Sequence, residues 1–166
     1  MEDAQAIIKA GADKVSINTA AVDHPEIVSE IAAKFGSQCV VLAIDTKLDD
    51  GEWKVYIHGG RTPTPLNAVD WALEGERRGA GEILLTSMNN DGTKNGFALD
   101  ITAAVSSAVN IPVVASGGAG TMQHFADVFQ QTRASAALAA SIFHFGEIPI
   151  PRLKQFLKQQ NIEVRI

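Results

Sequence analysis

The sequence has a single cysteine, so no disulfide framework can hold it. That residue, Cys39, sits in the apolar run QCVVLAID and reads as a small buried hydrophobe rather than a nucleophile. Basic residues are also few: 14 Lys and Arg face 19 Asp and Glu, for a net charge of −5. A nucleic-acid footprint needs clustered cations, and this balance argues against one. No apolar run approaches the roughly 20 residues that would cross a membrane. The opening MEDAQAIIKAG reads as an amphipathic helix without the basic start and small-residue cleavage site of a secretory signal. The expectation is a soluble, cytoplasmic protein. Histidines are scarce and scattered: His124 and His144 have no ligand-like spacing, and His24 and His58 read as surface residues. No metal is assigned. At 166 residues, the chain suits one domain, residues 1–166, better than two.

What the sequence does contain is alternation. Apolar runs of strand length occur at 13–18, 39–45, 82–87, 112–118 and 135–141, with helical periodicity at 25–35, 66–78, 99–108 and 122–131. Strands that are apolar throughout are buried on both faces, as in parallel sheets, and alternation with helices calls for right-handed crossovers. One excursion interrupts the pattern. In DGEWKVYIHGGR, Asp50-Gly51 and Gly59-Gly60 bracket an alternating segment, which predicts a small hairpin. GADKVSINTAA (11–21) is echoed by GAGEILLTSMN (79–89), and RASAALAAS is a weaker third copy. Such repetition points to a βα barrel, but a complete barrel of eight units takes about 200 residues or more. The reading is an α/β chain forming part of a TIM (βα)8 barrel, about five βα units with parallel strands.

The five strands carry small and polar residues at their C-terminal ends: Asn18-Thr19, Asp45, Thr86-Ser87, Ser116-Gly117-Gly118 and Ser141. Ligands bind at that end of parallel α/β folds. Ser116 to Gly120 would let the backbone approach a ligand and present N–H groups, and Ala140-Ser141 would open a short helix beside it. A phosphate between the last two loops is the economical explanation; glycines serving tight turns alone are the rival. Asn18 and Thr19 offer a second anion site, with Thr19 as a plain helix cap the alternative. Asp45 ends an apolar strand, where a carboxylate is costly unless it is paired or tuned for proton transfer. Asp91 could be a routine Asp-Gly turn, and Lys47 and Lys94 solvated surface lysines.

AGADKVSINTAA, FGSQCVVLAID, GAGEILLTSMNNDGTKNG, VVASGGAGTMQHFADVF and AALAASIFHFGEIPI together resemble the cyclase-subunit family of imidazole glycerol phosphate synthase, of histidine biosynthesis. The resemblance runs over essentially the whole chain. It implies a (βα)8 barrel that takes ammonia from a glutaminase subunit and converts PRFAR, which bears two phosphates, to imidazole glycerol phosphate and AICAR. No cofactor is implied. Asp45 matches a catalytic aspartate, the general acid of ring formation. Asn18 and Thr19 match one phosphate site; Ser116, Gly117, Gly118, Ala140 and Ser141 match the other. Thr86, Asp91 and Gly92 match substrate-contacting positions, and Lys14 and Glu82 match two charges of the ammonia gate, which residue types alone leave as surface charges. Asn89-Asn90 before Asp91 is a mild departure from the family's wording. The larger departure is that the chain resembles the family without its first three βα units, which carry the other catalytic aspartate. An isolated chain is therefore expected to lack useful cyclase activity and to self-associate through uncovered strand edges. Two rivals stand: a ProFAR isomerase-like barrel, and a non-catalytic phosphate-binding half-barrel.

Overall fold

Val40-Val41-Leu42-Ala43-Ile44, apolar without interruption, begins the central strand of the sheet in the computed structural model, which describes residues 1–165. This strand, β2 (Val40–Asp49), has two neighbours on one edge and one on the other. Its lower half pairs in parallel with β1 (Val15–Ile17), and its opposite edge pairs in parallel with β5 (Glu82–Ser87). Parallel strands β6 (Val113–Ser116) and β7 (Ala136–Leu138) follow in order. The upper half of β2 turns back through Asp50 and Gly51, both at positive φ, into antiparallel β3 (Glu52–Ile57). Two residues of that conformation make the tight hairpin that matches strand twist. β4 (Thr62–Asn67) then pairs with β3 and forms the sheet's edge on that side.

Helices connect the parallel strands as the crossover rule requires. Before β1 lies α1 (Glu2–Lys9); between β1 and β2 lie α2 (Thr19–Asp23) and α3 (Glu26–Phe35). α4 (Ala68–Arg77) leads to β5, α5 (Leu99–Ala108) to β6, and α6 (Met122–Gln131) to β7. α7 (Ser141–His144) and α8 (Ile150–Gln159) follow β7. Asn67 caps α4 by accepting from the Val69 and Asp70 N–H groups, which satisfies donors a helix start would otherwise leave bare. One apolar cluster joins α1 and α3–α5 to β1, β2 and β5 around Ile31, Leu42, Ile44 and Ile83. A second, around Phe125, Val128, Ile142 and Leu157, lies under α6–α8.

The α/β reading with parallel strands in a partial barrel holds, and the expected hairpin is present as β3 flanked on both sides. Three expectations are corrected. The strands expected over 13–18, 112–118 and 135–141 contract to three or four residues, because their polar ends turn into loops and helices. The helix expected over 66–78 begins at Ala68; the residues before it belong to β4, whose prolines are tolerated because only one edge is paired. Cys39 is half-buried in a single 3₁₀ turn (Ser37–Cys39) ahead of β2, with Sγ 3.3 Å from the Phe35 carbonyl, rather than a core hydrophobe. The C-terminal helix α8 adds to the four helices that the periodicity predicts.

Candidate functional site

Strand register decides which side chains share a level. Asp45 pairs with Thr86, Thr86 with Ser116, and Ser116 with Leu138, so one row crosses β2 at mid-length, where its parallel half ends, and β5, β6 and β7 near their C-terminal ends. Asn18 follows Ile17, whose partner on β2 is Leu42, so it emerges from β1 at the same end. The expected convergence on one rim is what the sheet produces. Lys14 and Glu82 lie at the other end, where they form a 2.6 Å ion pair beneath the sheet's centre.

Asp45 is half-buried, and its environment acts in two directions. Burial raises its pKa above 3.8 by disfavouring the charged form, the Asn18 hydrogen bond opposes that, and the charge of Asp91 raises it further. Asn18 Nδ2 donates to Asp45 Oδ2 at 3.0 Å and to the Tyr56 carbonyl at 3.2 Å. Asn18 occupies the N-cap position of α2 without capping it, and its Oδ1 is buried with no partner. Thr19 is the first residue of α2 rather than its cap, and its Oγ1 accepts the His58 N–H at 2.9 Å. That bond ties the end of β1 to the turn after β3.

Beside Asp45's row, a cavity of about 210 Å³ is lined by Asp91, Gly92 and Lys94 from the loop after β5, Ser116–Ala119 after β6, and Leu138–Ser141 after β7. The sequence candidates Asp91, Gly92, Ser116, Gly117, Gly118, Ala140 and Ser141 therefore share one space. Thr86 lies in the strand row next to it, and Asn18 and Thr19 lie across the mouth on β1's side. Lys94 is held in an ion pair with Glu147 at 2.6 Å; Lys47 lies in the outer, hairpin half of β2.

The glycines here have a packing cause that holds with or without a ligand. Gly117 is at φ +90°, and a Cβ there would lie 2.7 Å from the Ser87 carbonyl oxygen. Gly118 is at φ +101° against the Gly96 carbonyl, and the Gly96 N–H donates back to the Gly118 carbonyl at 2.7 Å. The loops after β5 and β6 are thus fitted backbone to backbone. Sequence reasoning missed the residues that shape the loop after β5 for this fit and tie it to β2. Ser87 Oγ donates to Asn90 Oδ1 at 2.8 Å, Asn90 Nδ2 donates to the Gly96 carbonyl at 2.9 Å, and Asn89 Oδ1 accepts the Leu48 N–H at 2.8 Å. The Asn-Asn pair that reads as a mild variation is structural. Its signal in the sequence is the turn-forming character of Asn next to Asp-Gly. Among the described residues, no three His, Cys, Asp or Glu side chains gather in a way that could hold a metal ion. No helix among them is long and apolar enough to cross a membrane.

Residues 1–149 match the family described as Histidine biosynthesis protein. The chain belongs to that family. It is 58% identical over 166 residues to the protein of Flavobacterium johnsoniae named imidazole glycerol phosphate synthase subunit HisF, covering 100% of this chain and 66% of the relative. Relatives of the same name in Hydrogenobaculum sp. and Anoxybacillus flavithermus are 58% and 57% identical over 167 residues, covering 100% and 99% of this chain and again 66% of theirs. This member of the family thus spans 66% of the length of the curated relatives it matches.

Proposed function

We propose that the chain is part of the cyclase subunit of an imidazole glycerol phosphate synthase, and that its rim takes part in converting PRFAR and ammonia to imidazole glycerol phosphate and AICAR. The observation that carries this is the row Asp45–Thr86–Ser116 running into the cavity at Ser116–Ser141. It sets a carboxyl group whose pKa burial raises two strands away from a space lined by backbone and small side chains. A raised carboxyl pKa suits a general acid, which must carry a proton at working pH and give it up in the transition state. The cavity after β6 and β7 takes one phosphate of the substrate. Asn18 and Thr19 face the other, and Thr86, Asp91 and Gly92 hold the body between them. The acid reaches the reacting centre because Asn18 fixes the carboxyl's direction from the β1 side.

The names of the relatives support an enzyme assembled with a partner subunit. In this proposal a glutaminase docks at the opposite end of the sheet and delivers ammonia past the Lys14–Glu82 pair. Residues 1–166 act as one domain, since a single sheet carries both apolar clusters. Among the described residues, β1 and β7 have neighbours on one side only, and Leu138 is 43% exposed, so the isolated chain self-associates.

The deciding experiment grafts residues 1–166 in place of the matching segment of the Flavobacterium johnsoniae relative and assays PRFAR with ammonium salts. Turnover is expected, and a large loss on Asp45→Asn. A well-folded graft that isomerises ProFAR instead, or that binds phosphate and never turns PRFAR over, overturns the proposal.

A further inference from the structure

We propose that His124 is a positioning residue for the anion cradle, an imidazole acceptor that fixes the glycine-rich segment after β6. The inference rests on reading the cavity at Ser116–Ser141 as an anion site.

The geometry sets which ring nitrogen accepts. His124 Nδ1 accepts two backbone donors, the Gly120 N–H at 3.1 Å and the Thr121 N–H at 3.3 Å. An atom that accepts from N–H groups carries no proton, so the hydrogen of the neutral ring is on Nε2. Thr121 Oγ1 accepts the His124 N–H in return, at 3.4 Å. This reciprocal pair at the start of α6 has the form of a capping box, with histidine where glutamate or glutamine usually stands. A flat ring in place of a flexible side chain is the feature that needs a reason.

The ring also touches the second wall of the cradle. A Cβ on Gly96 would lie 3.6 Å from His124 Cδ2, so the imidazole packs against the loop after β5. Gly96 in turn bonds Gly118, and Asn90 holds Gly96. His124 therefore braces two of the three loops whose residues line the cavity, without lining it itself. Loss of the brace frees Gly118 and Ala119 at the point where backbone N–H groups would meet an anion.

The test uses the full chain and sulfate at one fixed pH. Affinity and the ¹⁵N shifts of Gly120 and Thr121 are followed by NMR in the unsubstituted chain, His124→Gln and His124→Ala. His124→Ala, which removes the acceptor, binds sulfate about five-fold more weakly and displaces the Gly120 and Thr121 amide signals. His124→Gln, which restores an acceptor at the same position of the capping box, recovers the affinity and returns the two amide signals toward their original places. Equal affinity in His124→Ala, or no recovery in a folded His124→Gln, overturns the inference while leaving the anion site intact. A chain that binds no sulfate overturns the anion-site reading and this inference with it.

Discussion

Asn18 donates its side-chain N–H to the Asp45 carboxyl across 3.0 Å, joining the end of β1 to the middle of β2. That bond is what holds the carboxyl's pKa down against burial and the nearby charge of Asp91. Asn18→Ala removes the opposing influence, so the pKa of Asp45 is expected to rise further. A ¹³C-carboxyl NMR titration of both proteins reads the shift directly. An unchanged or lower value would mean that the bond does not govern the group.

The raised pKa of Asp45 also has a sign for stability. The native state holds this proton more tightly than the unfolded chain, whose value is near 3.8. Its contribution is therefore greatest at low pH and declines as pH rises through the window between 3.8 and the raised folded value. Asp45→Asn removes that decline. Urea unfolding at neutral pH should show a variant at least as stable as the parent, although it has lost the proposed acid. Such an exchange of stability for function is expected of a group placed for chemistry.

Two glycines of the rim separate space from backbone conformation. Gly92 is at φ +75° with nothing within 4 Å of a would-be Cβ, so Gly92→Ala costs about 1 kcal/mol. Gly118 is at φ +101°, where a Cβ meets the Gly96 carbonyl and lies 2.9 Å from Asn90 Cβ, so Gly118→Ala costs well over about 2 kcal/mol. Equal losses in chemical denaturation would contradict the fitted-loop account.

Much of this arrangement is legible in the residues. Uninterrupted apolar runs mark β2, β5 and β6, and Asp50-Gly51 marks the hairpin turn. Asn18, Asp45, Ser116 and Ser141 stand out because a polar residue at the end of an apolar run is unusual, and they do fall on one rim, although β7 is only half-buried and Ser141 opens α7 rather than ending a strand. β4 was hidden because its two prolines read against a strand, and only its edge position makes them harmless. The seam between the loops after β5 and β6 was hidden for another reason. It depends on backbone groups far apart in sequence, and neither composition nor periodicity reports which carbonyl a glycine N–H will find. The role of His124 is half-legible: Thr-x-x-His has the spacing of a capping box but not its usual fourth residue.

The Lys14–Glu82 pair is exposed enough for water to screen it, at 47% and 22% for the two side chains. Glu82→Gln should change stability by less than about 1 kcal/mol. Guanidinium unfolding, which adds salt, should show almost no effect, while urea shows the small one. A loss of several kcal/mol would make the pair a structural element and weaken its assignment to an ammonia path.

The central claim is that strand ends on both sides of Asp45 hold one substrate with a phosphate at each tip. An amide NMR titration of this chain with PRFAR tests it most directly. The account predicts one saturable process in which Asn18–Thr19, Ser116–Ala119 and Ala140–Ser141 shift with a common dissociation constant. Shifts confined to one side of the mouth, or centred on Lys14 and Glu82 at the opposite end, would contradict it.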